Sequence, residues 1–100
     1  MSVQDSGYDR SILNAIDPLV ADKPNIQNIT LDGSLIDIHY IRDQPIVQYR
    51  RDASEIAEAF SRRKMNLTSD GNVTVRCIHN DLIRLEATAS NGRLVNLQEN

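Results

Sequence analysis

Short runs of alternating apolar and polar residues, separated by Asp-Gly and Asn-Gly pairs, dominate the chain. Residues 34–42 place Ile36, Ile38 and Tyr40 on one side and Asp37 and His39 on the other. This is the period-two pattern of a strand with one buried face. Residues 72–79 repeat it, with Val73, Val75 and Cys77 opposed to Thr74, Arg76 and Ile78. In residues 82–89, Ile83, Leu85 and Ala87 oppose Arg84 and Glu86, and in 93–97 Val95 and Leu97 face the same way. Residues 26–31 and 46–51 read as two further strands, the latter with Val47 and Tyr49 opposed to Ile46 and Gln48. Asp32-Gly33, Asp70-Gly71 and Asn91-Gly92 lie between such runs. Those pairs accept positive φ at both central positions of a tight hairpin turn. Asp43-Gln44-Pro45 and Asn80-Asp81 supply two more turns.

Two segments carry the helical period instead. Ile12, Leu13, Ile16, Leu19 and Val20 fall on one face, with Ser6 and Asp9 placed to cap. Pro18 ends or bends this helix, which is expected over residues 9–17. In the second, Ala53, Ile56, Ala57 and Phe60 form a narrow apolar stripe. Asp52 as cap and Glu55 at the third position suit the positive helix start, and Arg62, Arg63 and Lys64 suit its negative end. The expected order is α-β-β-β-α-β-β-β. This is an α+β fold of antiparallel meander sheets, with two short helices packed on one sheet face. Residues 1–100 are read as a single domain, with 1–5 and 98–100 frayed. Laying Asp32-Gly33 over Asp70-Gly71 sets the buried faces out of step, which argues against internal duplication.

Composition narrows the function more than it defines it. Eleven basic residues against fourteen acidic ones leave a net charge of -3. That balance argues against broad adhesion to nucleic acid or to an anionic membrane. Cys77 is the only cysteine, so no internal disulfide and no zinc site of several cysteines can form. The N-terminal residues lack the basic start and apolar run of a secretory signal, and no apolar stretch approaches membrane-spanning length. The expected location is therefore the cytoplasm, or the host cytoplasm for a phage-encoded chain. On this reading the sequons at Asn28, Asn66 and Asn72 are chance matches.

No catalytic constellation emerges. Asp37, His39, Cys77 and His79 could surround a transition metal if their strands were neighbours. Yet Cys77 continues an apolar strand face, where free cysteine is an ordinary core residue. Cys77 and His79 as nucleophile and base would need an exposed, electropositive thiol. Asp9, Asp32, Asp43, Asp52, Asp70 and Asp81 sit at caps and turns, where carboxylates serve the backbone. Neither a Walker-type loop nor GxGxxG occurs. The chain is expected to be no enzyme and to carry no cofactor or metal.

Two surfaces remain. Leu35, Ile41, Ile46, Ile78, Leu82 and Leu94 all fall on faces assigned as outward, and several aliphatics on one sheet face suggest a covered surface. The leading expectation is a non-enzymatic interaction or regulatory protein. It binds a protein partner of unknown identity through a sheet face or edge, as a homodimer, with Leu35, Ile41 and Ile46 as interface residues. The alternative is a nucleic-acid-binding regulator using the basic cluster 50–64: Arg50, Arg51, Arg62, Arg63 and Lys64. The plan of a small acidic chain with a helix before a meander is similar to that of bacterial secretion chaperones and of phage-encoded inhibitors. No motif here matches either group.

Overall fold

A computed structural model describes residues 18, 20, 21, 23–68 and 71–99. The helix expected over residues 9–17 lies outside them. The elements are β1 (Ile26–Asp32), β2 (Leu35–Tyr40), α1 (Ile46–Thr68), β3 (Val73–His79), β4 (Leu82–Ser90) and β5 (Arg93–Glu99). The strands form one five-stranded sheet in the order β1-β2-β3-β4-β5. Three neighbouring pairs are antiparallel, and β2 and β3 run parallel. The fold is α+β, but the sheet is mixed rather than wholly antiparallel. The physical reason lies in the connection. A two-residue turn can only reverse a strand, whereas α1 carries the chain back across the sheet so that β3 starts at the same end as β2.

Residues 46–51, whose alternation reads as a strand, are helical instead. They are the opening of α1. Pro45 holds the cap position, and its carbonyl accepts the first bonds from the amides of Gln48 at 2.9 Å and Tyr49 at 3.4 Å. The stripe that begins at Ala53 in the sequence extends back one turn. Tyr49, Ala53, Ile56, Ala57 and Phe60 are all buried at three- and four-residue spacing. Over six residues, Val47 and Tyr49 fit a period of two as well as a helix, so local alternation misled. Asp52 is consequently not a cap. It is buried in the helix interior, facing the sheet. The described residues thus have two strands, not three, before α1.

The turns follow the chemistry of their residues with one shift. Asn80 and Asp81 have φ of 52° and 63°, and Asn91 and Gly92 have 55° and 81°, the pattern of two-residue hairpin loops with both centres left-handed. In the first hairpin Asp32 pairs with Leu35. Its central residues are therefore Gly33 and Ser34, one position later than expected, with φ of 61° at Gly33 alone. Gly71 lies two residues before β3 rather than in a hairpin turn. Gln98 and Glu99, expected to be loose, complete β5 and pair with Glu86 and Leu85.

α1 covers one face of the sheet. Ile29, Ile36, Ile38, Val73, Val75, Cys77, Leu85, Ala87 and Ala89 meet it from the strands. Among the described residues no element covers the opposite face, which is mainly polar. One row runs across all five strands: Thr30, Asp37, Arg76, Glu86 and Gln98. Within it the Arg76 guanidinium clasps both oxygens of Asp37 at 2.7 Å, which raises the Arg76 pKa further. A bulge in β4 lets Arg84 fall out of this alternation. Its Nε lies 3.5 Å from Asp43, in the loop that leads into α1. Among the described residues no helix is long and apolar enough to cross a membrane.

Candidate functional site

The apolar residues singled out from the sequence do not share one surface. Leu35 is half-buried at the start of β2, and Ile41 lies just beyond its end, 57% exposed. Ile46 begins α1 and packs against the core, as does Leu94 on β5. Among the other outward assignments, Ile78 is nearly buried and Leu82 is 61% exposed at the β3–β4 turn. The open sheet face is thus not an apolar patch.

The basic cluster is divided too. Arg50 and Arg51 lie on the second turn of α1, and Arg62, Arg63 and Lys64 near its end. Eleven residues from Arg51 to Arg62 correspond to about 16 Å along the helix. Arg50 pairs with Glu99 at 2.7 Å. Arg62 reaches the Gly92 carbonyl at 3.3 Å. Lys64 is only 5% exposed and donates to Ser34 Oγ at 2.7 Å and to the Asn72 carbonyl at 3.0 Å. Its ammonium ties the end of α1 to the β1–β2 turn and to the start of β3. These are structural roles for cations that sequence alone presents as a free patch.

Cys77 and His39 sit on opposite faces, because Ile38 is the neighbour of Cys77 while His39 pairs with Ile78. Among the described residues no group of three or more His, Cys, Asp or Glu is placed to hold a metal ion. The Cys77 thiol is fully buried, 3.7 Å from both the Tyr40 hydroxyl and the Tyr49 carbonyl oxygen. Burial pushes its pKa up to about 12, the reverse of what an activated thiol needs. In the native state Cys77 is expected to react with a disulfide reagent only as fast as the protein unfolds. Labelling followed with and without urea checks this, and rapid native labelling would contradict it.

Two features stand out that were not read from the sequence. The first is the β5 edge. β5 pairs with β4 on one side. Its other side carries no strand among the described residues. Val95 is 61% exposed there, between the half-buried Leu94 and Leu97. The second is a polar network at the start of α1. Asp52, 7% exposed, accepts from the Tyr40 hydroxyl at 3.0 Å and from Gln44 Nε2 at 3.2 Å. Asn25 holds the next loop through a reciprocal pair with the backbone of Arg42, at 2.8 and 2.9 Å, and donates to Gln44 Oε1 at 3.1 Å. Burial, with Cys77 and Asp52 beside it, holds the Tyr40 hydroxyl well above its ordinary pKa, so it stays a donor. The rings of Tyr40 and Tyr49 meet edge to face, 4.9 Å between centroids. The Tyr49 hydroxyl donates to Asp43 at 2.6 Å, which lowers the pKa of that carboxyl. The one available signal for this network was Asp52 itself, a carboxylate continuing the apolar period of Tyr49, Ala53 and Ile56.

No family model matches the chain, and no curated protein or solved structure matches it.

Proposed function

We propose that this chain is a non-enzymatic interaction protein that binds a protein partner by strand addition at β5, and that a second copy fills this place in a homodimer. The observation that carries the reading is the β5 edge. An edge strand offers a row of unpaired backbone donors and acceptors, and natural proteins blunt such edges with central charges, proline or bulges. β5 has charges only at its ends, Arg93 and Glu99, with Leu-Val-Asn-Leu-Gln between them. Its bulge at Val95 precedes a regular run over residues 96–99. Both edges carry some protection: β1 is irregular between Ile26 and Asn28, and on β5 the Leu94 amide donates to Glu58 Oε2 at 3.0 Å and Glu99 pairs with Arg50 at 2.7 Å, so Asn96 to Gln98 form the open part of that edge.

Charge favours a second copy as the partner. Antiparallel pairing of β5 with itself brings the Arg93 end of one strand beside the Glu99 end of the other. A register centred on Leu97 sets Leu97 against Leu97 and Asn96 against Gln98, and leaves Arg93 diagonal to Glu99. The partner is recognised mainly by backbone hydrogen bonds, as in strand-addition complexes generally. The alternative, a nucleic-acid-binding regulator using Arg50, Arg51, Arg62, Arg63 and Lys64, has less support, because those cations are split along α1 and partly engaged.

Light scattering on a sizing column at low and high salt tests the reading. The expected mass is twice the 11.3 kDa of one chain, insensitive to salt. Val95→Lys and Asn96→Lys, which place charge at mid-edge, are each expected to give a folded monomer. A monomeric parent protein, or a dimer indifferent to both substitutions, would overturn it.

A further inference from the structure

The cleft above the Asp52 network has the composition of a small-ligand site. It holds about 190 Å³ and lies between the end of β2, the loop before α1 and the first two turns of that helix. Drug-sized sites span roughly 300–1,000 Å³, so this one suits a molecule of only several heavy atoms.

Asp52 is costly to bury. A carboxylate buried on the sheet-facing side of a helix loses hydration, and an apolar residue would pack there without that loss. Its bonds from Tyr40 and Gln44 repay part of the loss, but both fall on Oδ2. That leaves Oδ1 for the cleft, which Asp52 lines. Among the described residues no cation is ion-paired with Asp52: Lys23, which also lines the cleft, pairs with Glu55 at 3.0 Å. The surrounding groups are fixed in advance. Asn25 locks Gln44 and the Arg42 backbone, and Gln44 in turn is locked to Asp52. Groups held in place before a ligand arrives reduce the ordering cost of binding.

The charges in this frame are separated. The buried Asp52 and the exposed Arg42 both line the cleft, together with the uncharged amide of Gln48 and with Lys23, whose charge is met by Glu55. A ligand with an ammonium at one end and a carboxylate at the other matches both. The geometry points to a binding site for a small zwitterion of the free α-amino-acid class, its ammonium on Asp52 Oδ1 and its carboxylate toward Arg42. A cation alone would leave Arg42 unanswered, and an anion alone would meet Asp52. This site is separate from the β5 edge, and its reading stands or falls without the dimer.

The test is an amide NMR titration of the whole chain with free L-amino acids singly, and with methylamine and acetate as half-ligands. At least one amino acid is expected to shift the signals of Gln44 and Gln48 saturably, and to bind more tightly than either half-ligand. Asp52→Asn and Arg42→Gln are each expected to weaken it about tenfold or more, the scale of a hydrogen bond to a charged group. Arg42 is exposed, so its variant tests the site even if Asp52→Asn unfolds the protein. No saturable shift with any amino acid, equal binding by methylamine, or unchanged affinity in Arg42→Gln would overturn the assignment.

Discussion

Phe60→Ala is expected to remove about 3–5 kcal/mol of stability, the usual cost of emptying a buried aromatic site. Phe60 is the only phenylalanine in the chain and is fully buried. It lies on the inner stripe of α1 between Ile56, Ala57 and Lys64, where the helix meets a sheet face built from Val, Ile, Leu and Ala. Small side chains such as Ala87 and Ala89 leave room for one large ring, and nothing of similar size stands ready to replace it. A domain of this length has a total stability of about 5–15 kcal/mol. The variant should therefore unfold at much lower urea, with part of the population unfolded at 37 °C. Urea unfolding followed by circular dichroism gives the number. A loss under about 1 kcal/mol would mean that α1 does not pack as described.

Gly71→Ala is expected to cost about 1–3 kcal/mol, as overpacking does, although Gly71 needs no unusual φ. The reason is close approach. A Cβ there would lie 2.6 Å from Met65 Cγ, 2.8 Å from the Asn91 amide nitrogen and 3.1 Å from Asn91 Cα. The methionine can move, but the Asn91 backbone belongs to the β4–β5 turn and is held. Ser61 is part of that hold: its buried hydroxyl donates to the Gly71 carbonyl and accepts from the Gly92 amide at 2.8 Å. An added methyl thus presses on the junction of α1, β3 and the last hairpin. Gly33→Ala is the comparison, since a Cβ there meets nothing within 4 Å and the cost comes only from its φ of 61°. Thermal unfolding of both variants checks this. A Gly71→Ala protein as stable as the parent would contradict the close approach.

Much of the fold was legible in the sequence, and the failures have two distinct causes. Strands β2 and β3 read with their correct inner faces, because period-two alternation over six or more residues has no competing interpretation; in β4 Leu85 and Ala87 read correctly, but Ile83 lies beyond the bulge at Arg84 and pairs with Ile78 on the other face. Cys77 was placed in the core for the same reason. The segment around Tyr49 was misread because it is short, and its fit to a helix depends on residues on both sides of Asp52. With Asp52 as a cap, a polar residue inside the buried stripe looks like a boundary. The parallel β2–β3 pair was hidden for a different reason. Pairing direction is set by where a connection returns the chain, and no local pattern records that.

The candidate sites were less legible still. Lys64 and Arg50 read as surface charge, because a sequence cannot show that their partners, the Asn72 carbonyl and Glu99, lie across the fold. Ile46 read as an outward residue because its element was misassigned. The Asp52 network joins residues 25, 40, 44 and 52, which only the closing of β1, β2 and α1 brings together.

The most direct test of the proposed strand-addition interface is amide hydrogen exchange along β5 at several protein concentrations. Among the described residues the β5 amides that point away from β4 meet no strand, and the Leu94 amide is already held by Glu58, so the informative amides lie beyond it, over residues 96–99. If a second copy pairs there, those amides should become protected as concentration rises, and lose protection on dilution together with the dimer mass. Exchange at the rate of a free edge at every concentration, or protection that ignores concentration, would contradict a second copy at β5.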